Sequence, residues 1–477
     1  MFKVIALFVL FLFSTISFGQ AYKIDQMTKD SNLYKYPQKV IKSIQLIGNK
    51  ITKDHIILRE LTFNEGDTLT NDNLIEQIEQ SRKNLLNTSL FNFVKVDLAI
   101  GKPNEAFLLI HLQERWYTFP LPIFEIDDNN FNTWWESKDF SRLNYGFTLI
   151  RHNFRGRKEK LSTTVQFGFT ERLKISYDIP YINKNQKAGF NIDLSYNRRD
   201  QITYLSSNNK RLQYKSKHGD AIRNYATNLT YQFRPKIFNT HRLGLGYDFN
   251  KIQDTIRSLN PDYLGNNQKE THYFSLFYSF THDRRDSKNY PLNGTYFSAS
   301  IKKYGLGFLR NHIDFTNLQI QLKKFSPITE RLFVAGSFRG ILASNNNQPY
   351  LLQNGLGYSP SFTLRSYEYY IIDGQNIGLV KTQLRYQIIK PNHAQIDLLP
   401  WERFNRFHYA LYLGVFSDFA YVEDLTGYPN NRLANEIQFG YGLGLDFVTY
   451  YDLVLRTEFS FNKFGENGLF LHFVAPI

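Results

Sequence analysis

The feature of this sequence that most constrains its fold is the alternation of apolar and polar residues from Trp116 to the C-terminus. No sustained helical period interrupts it, and a period of two is typical of β-strands, whose successive side chains point to opposite faces. In the two clearest segments, one face carries Leu411, Leu413, Val415, Phe419 and Tyr421, and then Phe439, Tyr441, Leu443, Leu445 and Phe447. The other face carries Tyr412, Phe416 and Asp418, and then Gly440, Gly442, Gly444 and Asp446. The pattern predicts strands with one lipid-facing side and one inward-facing side.

The alternation divides residues 116–477 into sixteen predicted strands. They begin near Pro120, Asn144, Lys158, Arg172, Ala188, Tyr225, His241, His272, Gly294, His312, Arg331, Ile377, Tyr409, Glu436, Asp452 and Gly468. The longest connections follow odd-numbered strands, namely 128–142, 199–224, 253–271, 344–376 and 423–435. Those after even-numbered strands are mostly short, such as 154–157, 182–187 and 327–330, with 283–293 and 390–407 as exceptions. Because long loops at one end and short turns at the other are typical of outer-membrane barrels, we predict a mainly β fold with a 16-stranded antiparallel transmembrane β-barrel.

The composition agrees with a membrane barrel. The chain contains 32 Tyr and 42 Phe residues, which would supply the aromatic girdles at the two membrane interfaces. It has no Cys, which excludes disulfides and thiolate metal sites. The net charge of +14 does not indicate nucleic-acid binding, because no basic recognition helix or base-stacking motif accompanies it.

The N-terminus reads as a secretory signal. Lys3 provides the charged region, residues 4–16 are apolar, and Ser17, Phe18 and Gly19 precede a cleavage site ahead of Gln20. We therefore predict a signal peptide over residues 1–19 and a short polar leader over residues 20–38.

Residues 39–115 have the pattern of helices and strands expected of a small separate domain. A strand over residues 40–47, a helix from Thr52, a second helix from Thr70, and strands over 91–100 and 105–113 give the order βααββ. This order, together with the Gly-Asn pair after the first strand, resembles a POTRA (polypeptide-transport-associated) domain. The resemblance implies that its 91–100 strand is an edge that binds clients. The residues predicted to form this edge are Phe91, Phe93, Val94 and Val96.

A POTRA domain followed by sixteen strands resembles the BamA/TamA family of outer-membrane assembly proteins, in the bacterial surface antigen superfamily. The segments 153–156 (Asn-Phe-Arg-Gly) and 178–181 (Asp-Ile-Pro-Tyr) look like turn motifs of that family. The most specific match is the turn between the eighth and ninth strands. Its motif residues are Asp283, Arg285, Pro291 and Gly294.

The long connection 344–376 falls where that family places an inward-folding loop. Its Leu364-Arg365-Ser366-Tyr367 looks like the family's loop signature, with Ser in place of Gly. The resemblance implies that Arg365 pairs with Asp418, and Asp418 also faces inward by alternation. A second acidic partner of the family aligns with Arg385, which would then compete for Asp418.

The resemblance implies a protein that inserts or translocates β-rich clients by POTRA β-augmentation and a lateral seam between the first and last barrel strands. Pro120 and Pro122 remove N–H donors from the first strand, and Pro476 ends the last one. The alternatives are a two-partner-type polypeptide secretion pore and a passive porin or surface adhesin. Expected partners are unfolded outer-membrane or secreted polypeptides, outer-membrane lipid and lipopolysaccharide, and accessory lipoproteins.

The sequence gives no sign of an enzyme. It contains no Gly-x-Ser-x-Gly, His-Glu-x-x-His or phosphate-binding Gly-Lys-Ser/Thr pattern. His282 and His472 are predicted to be wall residues of an aromatic girdle rather than members of a catalytic site. No cofactor or metal is expected.

Overall fold

The computed structural model describes residues 17–18, 37–101, 104–126, 143–183, 185–217, 219–309, 312–345, 348–359, 362–395, 406–427, 430–449 and 453–472. The predicted signal peptide and leader lie almost wholly outside these residues, and so does Pro476. Within the signal region, only a two-residue strand, β1 (Ser17–Phe18), is described.

The predicted POTRA domain is a four-stranded sheet with two helices. Its elements are β2 (Gln38–Ile47), α1 (Asp54–Leu58), β3 (Thr68–Thr70), α2 (Asn71–Asn87), β4 (Phe91–Ile100) and β5 (Glu105–Glu114). The sheet order is β3-β2-β5-β4, in which β2 and β5 are parallel and the other pairs antiparallel. The predicted order of elements is confirmed, with β3 added, because a three-residue strand is too short to show alternation.

The POTRA core forms between α2 and the sheet. Leu74, Ile78 and Leu85 recur at helical spacing, and all three side chains are buried against strand residues such as Leu108 and Ile110. Each buried side chain of this size stabilises the domain by roughly 1.5–3 kcal/mol relative to exposure.

The remainder of the chain forms the barrel and its loops. The described strands are β6 (Thr118–Ile126), β7 (Leu143–Phe154), β8 (Glu159–Gly168), β9 (Thr170–Ile179), β10 (Ala188–Arg199), β11 (Gln201–Ser207), β12 (Lys210–Lys215), β13 (Ile222–Lys236), β14 (Asn239–Ile252), β15 (Glu270–Asp283), β16 (Gly294–Tyr304), β17 (Phe315–Pro327), β18 (Leu332–Ala343), β19 (Gly355–Leu356), β20 (Ile372–Asp373), β21 (Asn376–Gln395), β22 (Arg406–Glu423), β23 (Ile437–Thr449), β24 (Leu453–Asn462) and β25 (Asn467–His472). A short helix, α3 (Asp254–Leu259), and a 3-10 turn, Tyr350–Leu352, lie in connections.

Within the described residues, sixteen of these strands form one antiparallel, barrel-like sheet, which confirms the predicted fold. Sequential neighbours pair throughout, from β6 on β7 at one end of the sheet to β24 on β25 at the other. The strand pairs β11–β12 and β19–β20 belong to loops instead. None of the described helices is long and apolar enough to cross a membrane.

The two faces of the barrel strands differ as the alternation predicts. On β22, Leu413, Val415 and Phe419 are each more than two-fifths exposed, whereas Phe416 and Asp418 are buried. The exposed side is the apolar side, and the buried polar side chains face the interior.

The barrel has a POTRA end and an opposite, distal end. At the POTRA end, Lys53 N–H donates to the Gly156 carbonyl (3.0 Å), and Arg59 Nε donates to the Gln186 carbonyl (2.7 Å). At the distal end, Asn209 in the β11–β12 hairpin donates through Nδ2 to the Ile371 carbonyl (2.9 Å). The POTRA domain is thus docked on the turns at one end, and the loops pack on one another at the other.

Candidate functional site

The connection between β18 and β21, called here the lumen loop (residues 344–375), folds into the barrel. Leu364 and Tyr367 are buried in one apolar cluster with Leu379 of β21 and Val422 of β22. Burial of these loop side chains against the wall explains why so long a connection is ordered over its described residues.

Arg365 is held inside the lumen by two carboxylates. Its Nε donates to Asp418 Oδ2 at 2.7 Å, and its Nη2 donates to the other oxygen of the same carboxylate. Nη1 donates to Glu458 Oε1 at 3.3 Å. The guanidinium carbon also lies 3.8 Å from the centroid of the Phe416 ring. The bidentate geometry is the one in which an arginine–carboxylate pair is strongest.

The predicted contact between Arg365 and Asp418 is therefore present, and both side chains are at most 1% exposed. Tyr367 is brought to the same wall, where its hydroxyl donates to Gln438 Oε1 at 3.1 Å. That this contact serves as a functional anchor stays a prediction.

The glycines of β23 make room for the lumen loop. A Cβ built on Gly440 would lie 2.2 Å from the Arg365 carbonyl oxygen, and one on Gly442 would lie 2.9 Å from the Phe416 ring. The inward-facing glycine stripe seen in the sequence thus permits close approach of the loop backbone to the wall.

Ser366 occupies the position at which the resembling family has glycine. Its φ of +76° lies in the left-handed region that a side chain disfavours. Its Oγ is also buried without a hydrogen-bond partner among the described residues. The departure from the motif therefore preserves the loop conformation at a cost in strain.

Arg385 does not compete for Asp418, so that expectation is wrong. It faces the lumen, but its Nη1 donates to the Pro291 carbonyl at 3.0 Å, and its guanidinium lies 4.6 Å from the Tyr290 ring centroid. The second carboxylate at Arg365 is supplied by Glu458 of β24 instead.

The turn motif contacts the same wall from the POTRA end. Arg285 donates to both oxygens of Asp283 (2.8 and 2.7 Å), and Gly294 has a φ of +111° with the Arg284 carbonyl 2.2 Å from an ideal Cβ. Both features shape the turn so that Tyr290 enters the lumen, where its hydroxyl donates to Asp446 Oδ2 at 2.7 Å.

A continuous series of polar and charged side chains joins the turn between β15 and β16 to the lumen loop. Asp446 accepts from Arg456 Nη2 at 2.6 Å, and Arg456 Nη1 lies 3.6 Å from Glu458 Oε1, which also accepts from Arg365. We call Tyr290, Asp446, Arg456, Glu458, Arg365 and Asp418 the wall network. It spans the lumen from the POTRA-end turn to the lumen loop.

A second buried ion cluster joins the POTRA domain to the barrel. Glu60, just after α1, accepts from Arg234 Nη1 at 2.8 Å and from the Tyr181 hydroxyl at 3.1 Å, and Lys158 Nζ lies 3.4 Å away. Burial alone would raise the pKa of Glu60, but Lys158, Arg234 and Arg59 hold it well below its usual value. We call this group the docking cluster.

The predicted client-binding strand lies at the edge of the POTRA sheet, but most of the side chains predicted to contact clients are buried. Strand β4 is at one end of the POTRA sheet, as expected. However, Phe91, Val94 and Val96 are buried in the POTRA core, and Phe93 is half-buried. The side chains of Phe91, Val94 and Val96 pack in the core with residues of α1 and α2, so the backbone of β4, and not these three side chains, is what could pair with a client.

Four groups were not predicted from the sequence. Glu60, Glu368 and Glu458 look like ordinary charged residues in the chain, because their partners are distant in sequence. His472 was expected in an aromatic girdle, yet its Nε2 lies 3.1 Å from Glu368 and 3.2 Å from Glu458. Its position in the last strand, two residues after Phe470 on the inward face, was the available signal.

Comparisons with known proteins agree with this architecture. Residues 153–378 match the model of the Omp85 superfamily domain, and residues 39–115 match a POTRA model described as the surface antigen variable number repeat. No curated protein sequence matches the chain significantly.

Two solved structures share the fold. BamA from Haemophilus ducreyi lacking POTRA domains 1-3 has 15% sequence identity and a TM-score of 0.51, with 91% of this chain and 83% of that chain covered. CdiB from Escherichia coli has 12% identity and a TM-score of 0.52, with 92% and 74% covered. The sixteen-stranded barrel, the docked POTRA domain and the two family models lead to one conclusion: the chain belongs to the Omp85 superfamily of outer-membrane proteins and carries a POTRA domain.

Proposed function

We propose that this protein inserts β-rich polypeptides into the outer membrane. Outer-membrane insertion or secretion of polypeptides is the function that its superfamily and its BamA and CdiB neighbours support. The observation that carries the proposal is a POTRA domain docked on the turns of a barrel whose lumen is occupied by an inward-folded loop. In this arrangement the POTRA domain lies in the periplasm, where a client arrives unfolded.

Client capture would occur at the edge of the POTRA sheet. Strand β4 ends the sheet order, and an added strand gains main-chain hydrogen bonds without a demand on client sequence. Proline variants at two successive positions, Asp97→Pro and Leu98→Pro, test this edge. Because successive N–H groups of a strand point to opposite sides, only one variant deletes a donor to β5. The variant that keeps the POTRA fold should lose client binding, and normal binding would refute capture at β4.

Client release would occur at the seam between β6 and β25. Pro120 and Pro122 lie in β6, where each lacks the N–H that a ladder needs. The described part of β25 spans six residues. A pairing with fewer donors opens at lower cost than the other strand pairs of the barrel.

The lumen loop favours insertion over a passive pore. Its buried contacts with β21 and β22 fill part of the lumen, which a porin keeps open for solutes. A two-partner-type secretion pore remains the second candidate, since CdiB shares the fold.

Reconstitution distinguishes these functions. The purified chain in liposomes should accelerate the folding of an unfolded outer-membrane barrel, scored by heat modifiability and protease resistance. Arg365→Asp, folded but with its loop released, is the matched inactive variant. Client folding no faster than in empty liposomes would contradict insertion, and equal acceleration by both proteins would contradict a role for the lumen loop. Protection of an added secreted passenger inside the vesicles would favour secretion.

A further inference from the structure

Three potential metal ligands from three separate segments meet inside the barrel. Glu368 comes from the lumen loop, Glu458 from β24 and His472 from β25, and their ligand atoms all lie within 4.8 Å of one another. His472 Nε2 is 3.1 Å from Glu368 Oε1 and 3.2 Å from Glu458 Oε2. Both glutamates are buried, and His472 is half-buried.

These separations suit an ion placed between the three atoms. With metal–ligand distances of about 2.0–2.2 Å, ligand atoms around a tetrahedral ion stand roughly 3.3–3.5 Å apart. The two observed separations are a few tenths of an ångström shorter, which small side-chain rotations can supply. All three ligand atoms already lie within 4.8 Å of one another.

The orientation of the polar atoms is the second observation. Neither Glu458 Oε2 nor His472 Nε2 makes a hydrogen bond of acceptable geometry among the described residues, although both atoms are buried. Buried polar atoms are nearly always hydrogen-bonded, and coordination of a metal ion is another way to satisfy them. Both atoms are directed into the cluster.

The neighbouring arginines leave this side of Glu458 free. Arg365 and Arg456 approach the other carboxylate oxygen, Oε1, at 3.3 and 3.6 Å. Each arginine also has its own carboxylate, Asp418 for Arg365 and Asp446 for Arg456. Oε2 is thus turned toward His472 and away from the two guanidinium groups.

We propose that Glu368, Glu458 and His472 bind one divalent transition-metal ion, with Zn²⁺ the best match. An imidazole nitrogen with two carboxylates suits Zn²⁺, whereas Ca²⁺ and Mg²⁺ prefer sites made of oxygen atoms alone. Three protein ligands leave a coordination position for water. The ion joins the lumen loop to β25, the last described strand of the barrel. A role for this ion at the proposed seam between β6 and β25 rests on the proposed function. The binding of the ion to the three residues does not.

Metal titration of the purified full chain tests the site without any client. After removal of metal with a chelator, calorimetric titration with Zn²⁺ should give one ion per chain. His472→Ala and, separately, Glu368→Gln should weaken binding at least tenfold. His282→Ala is the matched control, because His282 is a wall histidine whose Nδ1 contacts Asn239 instead. Zn²⁺ should also raise the temperature at which the barrel unfolds, in the parent protein and in His282→Ala but not in His472→Ala.

Two results would overturn the proposal. One is the absence of Zn²⁺ binding up to millimolar concentration in a barrel that is folded by heat modifiability. The other is equal binding by the parent and by both ligand variants. If Zn²⁺ does not bind but His472→Ala still lowers the unfolding temperature, the three residues form an ion pair and the metal site is wrong. Because no client is present, failure of insertion in liposomes would leave the binding result unchanged.

Discussion

The docking cluster and the wall network differ in the sign of the buried charge at their centre. In the docking cluster one carboxylate, Glu60, is surrounded by the cations Arg234 and Lys158. In the wall network one cation, Arg365, is held by the carboxylates Asp418 and Glu458. Breaking a buried pair is costly because it leaves the partner charge uncompensated, so each cluster fixes one segment in one position.

The two clusters differ in how far they reach. The barrel partners of Glu60 lie at the POTRA end, in turns and near the end of β13, so loss of Glu60 affects docking locally. The partners of Arg365 continue through Arg456 and Asp446 to Tyr290 in the POTRA-end turn. The comparison indicates that the wall network, and not the docking cluster, connects the POTRA-end turn to the lumen loop.

Charge reversal in the wall network should have the largest effect. Arg365→Asp or Asp418→Arg alone should release the lumen loop, at a cost of roughly 3–5 kcal/mol for the stranded buried charge. The double variant restores an opposite-charge pair and should partly recover protease resistance of the loop and insertion activity. Single variants that match the parent protein would contradict the assignment.

Neutralising Glu60 should have an intermediate effect that is confined to the POTRA domain. Glu60→Gln should weaken docking by on the order of 2 kcal/mol, because the hydrogen bonds to Arg234 lose their ionic partner. Limited proteolysis between the domain and the barrel should increase, while barrel heat stability should stay unchanged. A drop in barrel stability would show that the two clusters are not separate.

The pH dependence of docking follows from the same carboxylate. The pKa of Glu60 is lowered in the docked state, so its contribution is fully present above its ordinary pKa of about 4.3. The contribution is lost only as the pH falls below that value and through the lowered one. Proteolysis between POTRA domain and barrel should be constant from pH 8 to pH 5 in the parent protein; a strong change in that range would contradict the pKa shift.

Removal of one hydroxyl tests the reach of the wall network. Tyr290→Phe deletes the hydrogen bond to Asp446, which should cost about 1–2 kcal/mol, since the acceptor is charged. Hydrogen exchange should increase in the turn at residues 284–293. Tyr296→Phe is the control in the same region, because Tyr296 contributes its ring face to Arg285. Equal exchange in both variants would place Tyr290 outside the network.

The smallest effect should be a gain. Ser366→Gly relieves the left-handed strain at φ +76° and removes a buried hydroxyl without a partner. Glycine also increases the conformational entropy of the unfolded chain, which offsets part of this gain. The free energy of unfolding should therefore rise by a net amount of roughly 0.5–1 kcal/mol. A lower unfolding temperature in this variant would show that Ser366 makes a contribution of its own.

The barrel was readable from the sequence because alternation is a local signal. Each strand shows its own period of two, and the same period placed Asp418 on the inward face without knowledge of its partner. Arg365 was recognised from a motif of four residues. The β4 edge was placed correctly in the sheet order, but the depth of burial of Phe91 and Val94 depends on how α1 and α2 pack.

The rest of the site depends on register between distant strands. Glu458 reaches Arg365 only because β22, β23 and β24 pair with one particular alignment. Arg385 turns to Pro291 because the POTRA-end turn enters the lumen, which no local pattern reveals. No local sequence pattern identifies Glu60 either, because its barrel partners are about 100 to 175 residues away in the chain.

The central claim, that the lumen loop is held inside the barrel by Arg365, is tested most directly by thiol labelling. The chain has no Cys, so a single Leu364→Cys reports on the loop, where Leu364 is 1% exposed. Phe308→Cys, at a position 77% exposed, is the reactive control. In the folded protein, a polar maleimide should label Leu364→Cys slowly. Labelling should be fast when Asp418→Arg is combined with Leu364→Cys. It should be slow again when Arg365→Asp is present as well. Labelling of Leu364→Cys as fast as Phe308→Cys in the otherwise unchanged protein would contradict the claim.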